Sequence, residues 1–223
     1  MRREHVWPLA VFSALVIAAA LSIGRQSLEA TSQIPEDAVF VEDAERPALG
    51  AVDAPAVMVI YTDYQCPYCR KFFEERLPSL RERYVKTGDL RVVVRDTPLA
   101  RHRFARPAAA AAACADRQGA YWEMHEALYA RQTQLAEVDL SRLAESLGLD
   151  RGVFDACMTD EATAVRIDED MQSARDAKIS GTPAFLIGMP QDGRVYGRVI
   201  VGYQPLSVYE TEIRDYLDAQ ASP

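Results

Sequence analysis

The chain has 223 residues and a formal net charge of −8, and 49% of its residues are hydrophobic. This length predicts one domain, or one domain with an insertion, and the composition allows a full hydrophobic core. Because the acidic balance leaves no basic surface for a polyanion, we exclude nucleic acid as a partner.

An apolar stretch follows the basic start of the chain. Arg2 and Arg3 precede an uncharged run over residues 6–23, which Gly24 and Arg25 close. Such a run is just long enough to span a bilayer and longer than the usual core of a signal peptide. We therefore expect residues 1–25 to be a transmembrane anchor, with a cleaved signal sequence as the alternative. The arginines would stay in the cytoplasm and the rest of the chain would be exported, to the periplasm or the outer face of the membrane.

Residues 26–47 lack a clear period and mix acidic side chains with Pro35 and Pro47. This composition predicts a linker, which could include a short strand at residues 39–41. We place the first half of the folded domain at residues 48–97.

The segment VMVIYTDYQCPYCR, residues 57–70, carries the main chemical signal. Its apolar, β-branched start is typical of a strand buried on both faces. Residues 70–80 have helical spacing, and Pro67 suits the first turn of a helix, where no N–H is needed. Cys66 is therefore predicted at a helix N-terminus, with Cys69 on the same face. The helix dipole and free N–H groups there lower a cysteine pKa, as expected of a dithiol that exchanges with other disulfides.

A Cys-x-x-Cys pair can also be half of a zinc site, or have no special chemistry. A structural zinc site needs about four ligands, usually with a second close pair. Here Cys114 and Cys157 stand far apart in the sequence, and the chain has 3 histidines. We therefore predict no metal site and favour a redox-active dithiol.

The following segments predict an α/β order with a helical interruption. A turn at residues 87–89 and a β-branched strand at residues 90–95 complete a βαβ unit with parallel strands. Residues 98–178 then form a helical insertion, long enough to be its own subdomain. Its predicted helices lie at residues 105–115, 121–132, 140–147, 153–158 and 162–177.

The sheet resumes in the second half of the domain, residues 179–220. Strands at residues 183–187 and 195–201, joined by a turn at residues 191–193, predict an antiparallel hairpin. An amphipathic helix from Leu206 closes the chain. The sequence thus predicts an α/β fold of βαβ and ββα halves around a mixed sheet, with an inserted helical subdomain.

This order and four motifs resemble the DsbA-like branch of the thioredoxin superfamily, over about residues 48–219. The motifs are YTDYQCPYC at residues 61–69, Pro98-Leu99 with His102, AYWEMH at residues 120–125 and GTPAF at residues 181–185. The resemblance implies a thioredoxin-like fold and a thiol–disulfide oxidoreductase that needs no bound cofactor.

The resemblance also implies roles for the motif residues. Cys66 would be the exposed nucleophile and Cys69 the buried resolving thiol, which act through a mixed disulfide. Thr182 and Pro183 would form a cis-proline loop that faces the dithiol and binds an extended substrate strand. Without the CPYC match, an ordinary turn would be the simpler interpretation of this loop.

Two cysteines remain in the insertion. With Cys66 and Cys69 paired as the dithiol, Cys114 and Cys157 are left to each other, and similar bridges occur in this family. We expect them to form a structural disulfide, which would persist in an exported protein. Two free, buried cysteines are the alternative.

Several further positions stay open. For His102 and His125, a packing or capping role is favoured over catalysis. Asp63 could accept a proton from Cys69 or be an exposed turn residue. Tyr68 stands where strongly oxidising members carry histidine. This difference should move the reduction potential from about −120 mV toward about −180 mV, and it leaves the direction of electron flow open.

We therefore expect a membrane-tethered, extracytoplasmic thiol–disulfide oxidoreductase, which acts on exported proteins and is recycled by a redox partner. A reductase for cytochrome or copper-centre assembly is the alternative among enzymes. An isomerase is disfavoured, because residues 26–47 are too short for a dimerisation domain. A non-catalytic holdase or metal-binding module is the alternative from another class.

Overall fold

The computed structural model describes residues 38–43 and 45–221, and a mixed β-sheet lies at its centre. The strands are β1 (Val39–Glu42), β2 (Ala48–Leu49), β3 (Ala56–Thr62), β4 (Leu90–Asp96), β5 (Ala184–Gln191) and β6 (Arg194–Val201). They lie in the order β1-β6-β5-β3-β4-β2. β3 pairs parallel with β4 and antiparallel with β5, while β5 and β6 form an antiparallel hairpin.

Helices follow β3, fill the insertion and close the chain. They are α1 (Pro67–Glu75), α2 (Leu77–Leu80), α3 (Ala105–Asp116), α4 (Tyr121–Ala130), α5 (Leu140–Ser146), α6 (Arg151–Met158), α7 (Glu161–Asp176) and α8 (Leu206–Ala221). The βαβ unit, the helical insertion and the ββα unit confirm the α/β fold predicted from the sequence.

Strand β3 is buried along its whole length. It lies between β4 and β5 in the sheet, so its backbone pairs on both edges and its apolar side chains fill the core on both faces. Val57, Val59 and Tyr61 belong to a cluster that includes Ala174 of α7. The residues just after β3 join a second cluster, which also contains the apolar faces of α3 and α4. β3 therefore delivers the CPYC motif to the junction of sheet and insertion.

The helix predicted after the CPYC motif is interrupted. α1 ends at Glu75, α2 follows after Arg76, and a π-helical turn spans Arg81–Val85. Pro78 lies in the first turn of α2. Because proline has no N–H and clashes with the preceding turn, it cannot continue α1.

Part of the predicted linker belongs to the sheet. β1 pairs with β6, with Val39 opposite Gly197 and Glu42 opposite Arg194. Arg46, also within residues 26–47, lies 2.7 Å from Asp170 of α7. The short strand expected at residues 39–41 is thus an edge strand, whereas residues 26–37 lie outside the described residues.

The membrane anchor is a prediction that we correct. Among residues 38–43 and 45–221, no helix is long and apolar enough to cross a membrane. The apolar run of residues 1–25, on which the anchor was predicted, lies outside the described residues. We therefore withdraw the transmembrane assignment.

Candidate active site

The two cysteines of the CPYC motif lie at the start of α1. Cys66 is the N-cap residue with an extended backbone, and Pro67 occupies the first turn. The backbone N–H groups of Cys69 and Arg70 donate to the Cys66 carbonyl, at 3.1 and 3.3 Å. Both cysteines are free thiols. Cys66 is 4% exposed and Cys69 is 0% exposed, so the predicted nucleophile is less accessible than expected.

The two thiols have opposite pKa shifts. A hydrogen bond from the Cys69 side chain, assisted by the backbone N–H groups of Cys69 and Tyr68, lowers the pKa of Cys66 to about 6. Burial, together with the hydrogen bond and charge of Cys66, raises the pKa of Cys69 well above its usual value. At neutral pH, Cys66 is therefore a thiolate and Cys69 a thiol. These are the states that a nucleophile and a resolving thiol require.

The Thr182–Pro183 loop faces this dithiol. Its peptide bond is cis. The Cys66 Sγ lies 3.2 Å from the Thr182 carbonyl oxygen. The backbone N–H of Gly202 donates to the Pro183 carbonyl at 2.8 Å, which ties the loop to the end of β6. The structure thus brings together all four residues that the sequence assigned to exchange and substrate binding.

Exposed aromatic and apolar side chains belong to the CPYC motif and to the end of β6. Tyr68 is 59% exposed, and its ring stacks on Tyr203 with 6.5 Å between the centroids. The guanidinium carbon of Arg76 lies over the Tyr203 ring, 4.5 Å from its centroid. Val201, at the end of β6, is 60% exposed. This surface could contact the apolar side chains of an extended peptide.

Asp63 is buried, so the prediction of an exposed turn residue at this position is wrong. Its carboxylate accepts hydrogen bonds from the backbone N–H groups of Gln65 at 2.7 Å and Leu99 at 2.8 Å. It also lies 2.8 Å from the His102 Nδ1. The contact to the N–H two residues on is an Asx turn, a local pattern that could have indicated this role. Asp63 and His102 therefore tie the loop before Cys66 to the start of the insertion.

Gln132 is not among the predicted site residues and lies in the short 3-10 helix Gln132–Gln134 after α4. Its side-chain amide donates to the carbonyls of Tyr64 at 2.8 Å and Cys66 at 3.0 Å. Because Gln132 is 66 residues from Cys66 in the sequence, no local pattern could have identified it. The insertion thus holds the backbone of the dithiol loop directly.

His125 packs inside an aromatic cluster. Its Nδ1 lies 2.9 Å from the Tyr64 hydroxyl, and its ring centroid lies 4.3 Å from that of Phe73. Burial lowers the pKa of His125 to about 3, so the ring is neutral at physiological pH. Within the described part of the chain, no group of three or more His, Cys, Asp or Glu could hold a metal ion.

Cys114 of α3 is bonded to Cys157 of α6. The S–S distance is 2.08 Å and the two Cα atoms are 5.7 Å apart. Both side chains are buried, and the Thr163 hydroxyl lies 3.3 Å from the Cys157 Sγ. The bridge joins two helices of the insertion and shares no atom with the CPYC pair.

A protein-family model described as thioredoxin matches residues 42–196. The chain belongs to this thioredoxin family. The matched range contains the CPYC dithiol, the whole insertion and the Thr182–Pro183 loop.

Solved structures confirm the DsbA-like assignment. α-DsbA1 of Wolbachia pipientis is 26% identical, with a TM-score of 0.65 over 78% of this chain and 92% of that chain. Oxidised BdbD from Bacillus subtilis has a TM-score of 0.67 over 82% of this chain and 100% of that chain, and its 22% identity shows the fold alone. The fold of this thioredoxin-family protein is thus similar to that of DsbA-type thiol–disulfide oxidoreductases.

Curated relatives include ion transporters. The chain is 41% identical over 139 residues to the Na(+)/H(+) antiporter NhaA 3 of Salinispora tropica. This match covers 62% of the chain and 21% of the relative. The chain therefore spans about a fifth of the length of such relatives, and the likeness concerns one part of them.

Proposed function

We propose that this protein exchanges disulfides with exported proteins, with Cys66 as the nucleophile and Cys69 as the resolving thiol. The observation that carries the proposal is the pair of opposite pKa shifts in two adjacent thiols, with Cys66 lowered to about 6 and Cys69 raised well above its usual value. Such a pair supplies one reactive thiolate and one protonated thiol that can later resolve the mixed disulfide. It is positioned by the N-terminus of α1 and faces the Thr182–Pro183 loop.

The exchange proceeds through a mixed disulfide. In the oxidising direction, a substrate thiolate attacks the Cys66 Sγ, the Cys66–Cys69 bond breaks, and Cys69 leaves with the electron pair and gains a proton. A second substrate thiolate then attacks the substrate sulfur, and Cys66 leaves as a thiolate. The substrate loses two electrons, and the enzyme dithiol gains them. The low pKa of Cys66 favours its departure, because a stable thiolate is a good leaving group.

The substrate would lie along the Thr182–Pro183 loop. An extended peptide that pairs with the backbone at Thr182 would bring its own sulfur next to the Cys66 Sγ. Tyr68 and Val201, both exposed, would contact its side chains. We assign the Cys114–Cys157 bond a structural role outside the exchange. A buried disulfide of this kind supports an oxidising, extracytoplasmic compartment.

A second candidate follows from the curated relatives. The 41% identity to part of a Na(+)/H(+) antiporter favours a redox module that serves an ion transporter. The dithiol chemistry would be the same, but the client would be one membrane transporter in place of many exported proteins. Reduction of proteins for cytochrome or copper-centre assembly is a third direction that the same chemistry allows.

A trapping experiment tests the proposal and separates the candidates. The Cys69→Ala variant keeps the nucleophile but cannot resolve the mixed disulfide, so clients should stay bound to Cys66 and be identified by mass spectrometry. Many exported proteins support the leading proposal, and an antiporter as the main adduct supports the second candidate. A Cys66→Ala/Cys69→Ala variant is the control and should trap nothing. If Cys69→Ala forms no mixed disulfide with any protein that carries a disulfide, the proposed exchange is wrong.

A further inference from the structure

The side chain of Gln132 reaches from the insertion to the loop that precedes α1. It is buried, and it lies at the start of the 3-10 helix that follows α4. Its amide nitrogen, Nε2, donates to the carbonyl oxygen of Tyr64 at 2.8 Å and to that of Cys66 at 3.0 Å. A glutamine amide has two donor hydrogens, so each carbonyl can receive one of its own. One side chain of the insertion thus bridges two peptide groups next to the dithiol.

The Tyr64 carbonyl depends on this amide. Tyr64 is buried, and no backbone N–H of residues 38–43 and 45–221 donates to its carbonyl oxygen. A buried carbonyl that loses its donor costs free energy, so the amide fixes the direction in which this peptide group points. The Cys66 carbonyl is held by two kinds of donor, the amide of Gln132 and the first N–H groups of α1.

These two peptide groups set the position of the sulfur of Cys66. Cys66 is the N-cap residue of α1, and its carbonyl accepts hydrogen bonds from the backbone N–H groups of Cys69 at 3.1 Å and Arg70 at 3.3 Å. Its own N–H donates to the Asp63 carbonyl at 3.0 Å. The Cys66 Sγ then lies 3.2 Å from the Thr182 carbonyl oxygen. A turn of either peptide group would move the Sγ relative to the N-terminus of α1.

We propose that Gln132 is a positioning residue of the exchange reaction. By holding the carbonyls of Tyr64 and Cys66, its amide keeps the Cys66 sulfur at the N-terminus of α1, where backbone N–H groups and the positive end of the helix stabilise a thiolate. This inference rests on the proposed Cys66–Cys69 exchange. It assigns to the insertion the role of tuning the nucleophile of that exchange.

Loss of the amide should disfavour the thiolate for two reasons. The two carbonyl oxygens carry partial negative charge, and without the amide hydrogens this charge is left uncompensated close to the sulfur. The loop can also turn, which moves the sulfur away from the donors of α1. Both effects should raise the pKa of Cys66, which is about 6 in the folded protein. Because the reduced dithiol contains the thiolate and the disulfide does not, the reduced form should lose stability relative to the oxidised form.

The Gln132→Met variant tests this role, because methionine has a similar length and no donor. Thiolate absorbance of the reduced variant, measured against pH, should give a Cys66 pKa that is higher by about one unit, the expected effect of one lost hydrogen bond. The pH profile of Cys66 alkylation should move by the same amount. At pH 7, the equilibrium constant for reduction of the variant by glutathione should fall about fivefold, because a smaller fraction of Cys66 is thiolate.

Two matched variants separate positioning from a general loss of a glutamine. Gln118→Met removes an amide that also bridges backbone groups, since it donates to the Asp150 carbonyl at 3.2 Å and accepts from the Asp150 N–H at 2.9 Å. This bridge lies wholly within the insertion. Gln134→Met makes the same change at an exposed position of the 3-10 helix that contains Gln132. Both controls should leave the Cys66 pKa and the glutathione equilibrium unchanged.

A second measurement uses the unmodified protein, so it does not depend on whether Gln132→Met folds. In nuclear magnetic resonance spectra of the reduced protein, the side-chain amide signals of Gln132 should shift with pH along the titration of Cys66. Those of Gln134 should not, and neither pair should shift in this way in the oxidised protein. Amide signals of Gln132 that ignore the titration overturn the inference.

The outcomes distinguish this inference from the proposed function. A Cys66 pKa in folded Gln132→Met that stays within about 0.3 units of the original, or an equal rise in Gln118→Met, overturns the positioning role of Gln132. Disulfide exchange that survives Cys66→Ser refutes the proposed nucleophile, whatever the glutamine variants do.

Discussion

The two cysteine pairs of this chain have the same composition and opposite properties. Cys66 and Cys69 lie at a helix N-terminus, where a hydrogen bond from Cys69 and backbone N–H groups lower the pKa of Cys66 to about 6. Cys114 and Cys157 lie between two helices of the insertion and are bonded to each other. In the proposed function, position relative to backbone donors and to the Thr182–Pro183 loop, more than the presence of two cysteines, decides which pair exchanges.

The largest expected difference between the pairs is in turnover. Cys66→Ser should abolish disulfide exchange with a protein substrate, because serine cannot form the mixed disulfide. The Cys114→Ala/Cys157→Ala double variant should retain exchange. Both are measured as the rate at which a reduced substrate gains disulfides in glutathione buffer. Loss of exchange in the folded double variant would contradict the division of roles.

For stability, we expect the Cys114–Cys157 pair to have the larger effect of the two cysteine pairs. Removing the Cys114–Cys157 bridge should lower the free energy of unfolding by about 3–4 kcal/mol, since the closed loop, with a sequence separation of 43, restricts the unfolded chain. Chemical denaturation of the oxidised double variant measures this loss. Stepwise reduction and alkylation of the unmodified protein provides the control: Cys66 and Cys69 should be alkylated first. Alkylation of Cys157 before Cys66 would reverse the comparison.

The pH dependence of stability should distinguish the reduced dithiol from its oxidised form. The folded pKa of Cys66 is about 6 against an ordinary value of 9.0, so the thiolate stabilises the fold above pH 9 and loses this effect as the pH falls through about 6. The oxidised protein lacks this group. The free energy of unfolding of the reduced protein should therefore rise with pH relative to the oxidised protein within this window. Thiolate absorbance measured against pH gives the pKa of Cys66 directly. A value near 9.0 would contradict the assignment of Cys66 as the nucleophile.

The smallest expected effect concerns Tyr68. Tyr68→His should make the reduction potential less negative, by up to about 60 mV, because histidine between the cysteines favours the reduced thiolate form. Equilibration with glutathione buffers measures the potential. Tyr203→Phe, which leaves the residues of the CPYC motif unchanged, is the control. An unchanged potential in Tyr68→His would show that the backbone and Cys69 alone set the stability of the Cys66 thiolate.

Local patterns predicted the fold well because its main elements have strong sequence signals. The apolar run of β3, Pro67 at the start of α1, and the punctuated helices of the insertion each follow from neighbouring residues. The prediction of a transmembrane anchor at residues 1–25 was wrong. A hydrophobic run of that length is compatible with more than one kind of segment. The break between α1 and α2 was missed, although Pro78 was its visible cause.

The site was predictable only where it is local. Cys66, Cys69 and the Thr182–Pro183 loop lie in motifs that the sequence shows directly, and their assigned roles stay predictions. The contacts of Gln132 with Cys66, and of Tyr129 with Thr62, join segments 66 and 67 residues apart. Since they depend on how α4 packs on the sheet, no periodicity or spacing could have indicated them.

The amide of Gln132 has a consequence for how the domain could be shortened or probed. Its two hydrogen bonds hold the carbonyls of Tyr64 and Cys66. A minimal protein made by excising residues 98–178 would leave both carbonyls without this donor and remove the Asp63 contact with Leu99. Residues of the insertion thus hydrogen-bond the chain segment that carries the dithiol. Opening of α4 would expose the first amides of α1 to solvent exchange, so the insertion and the dithiol should lose protection together.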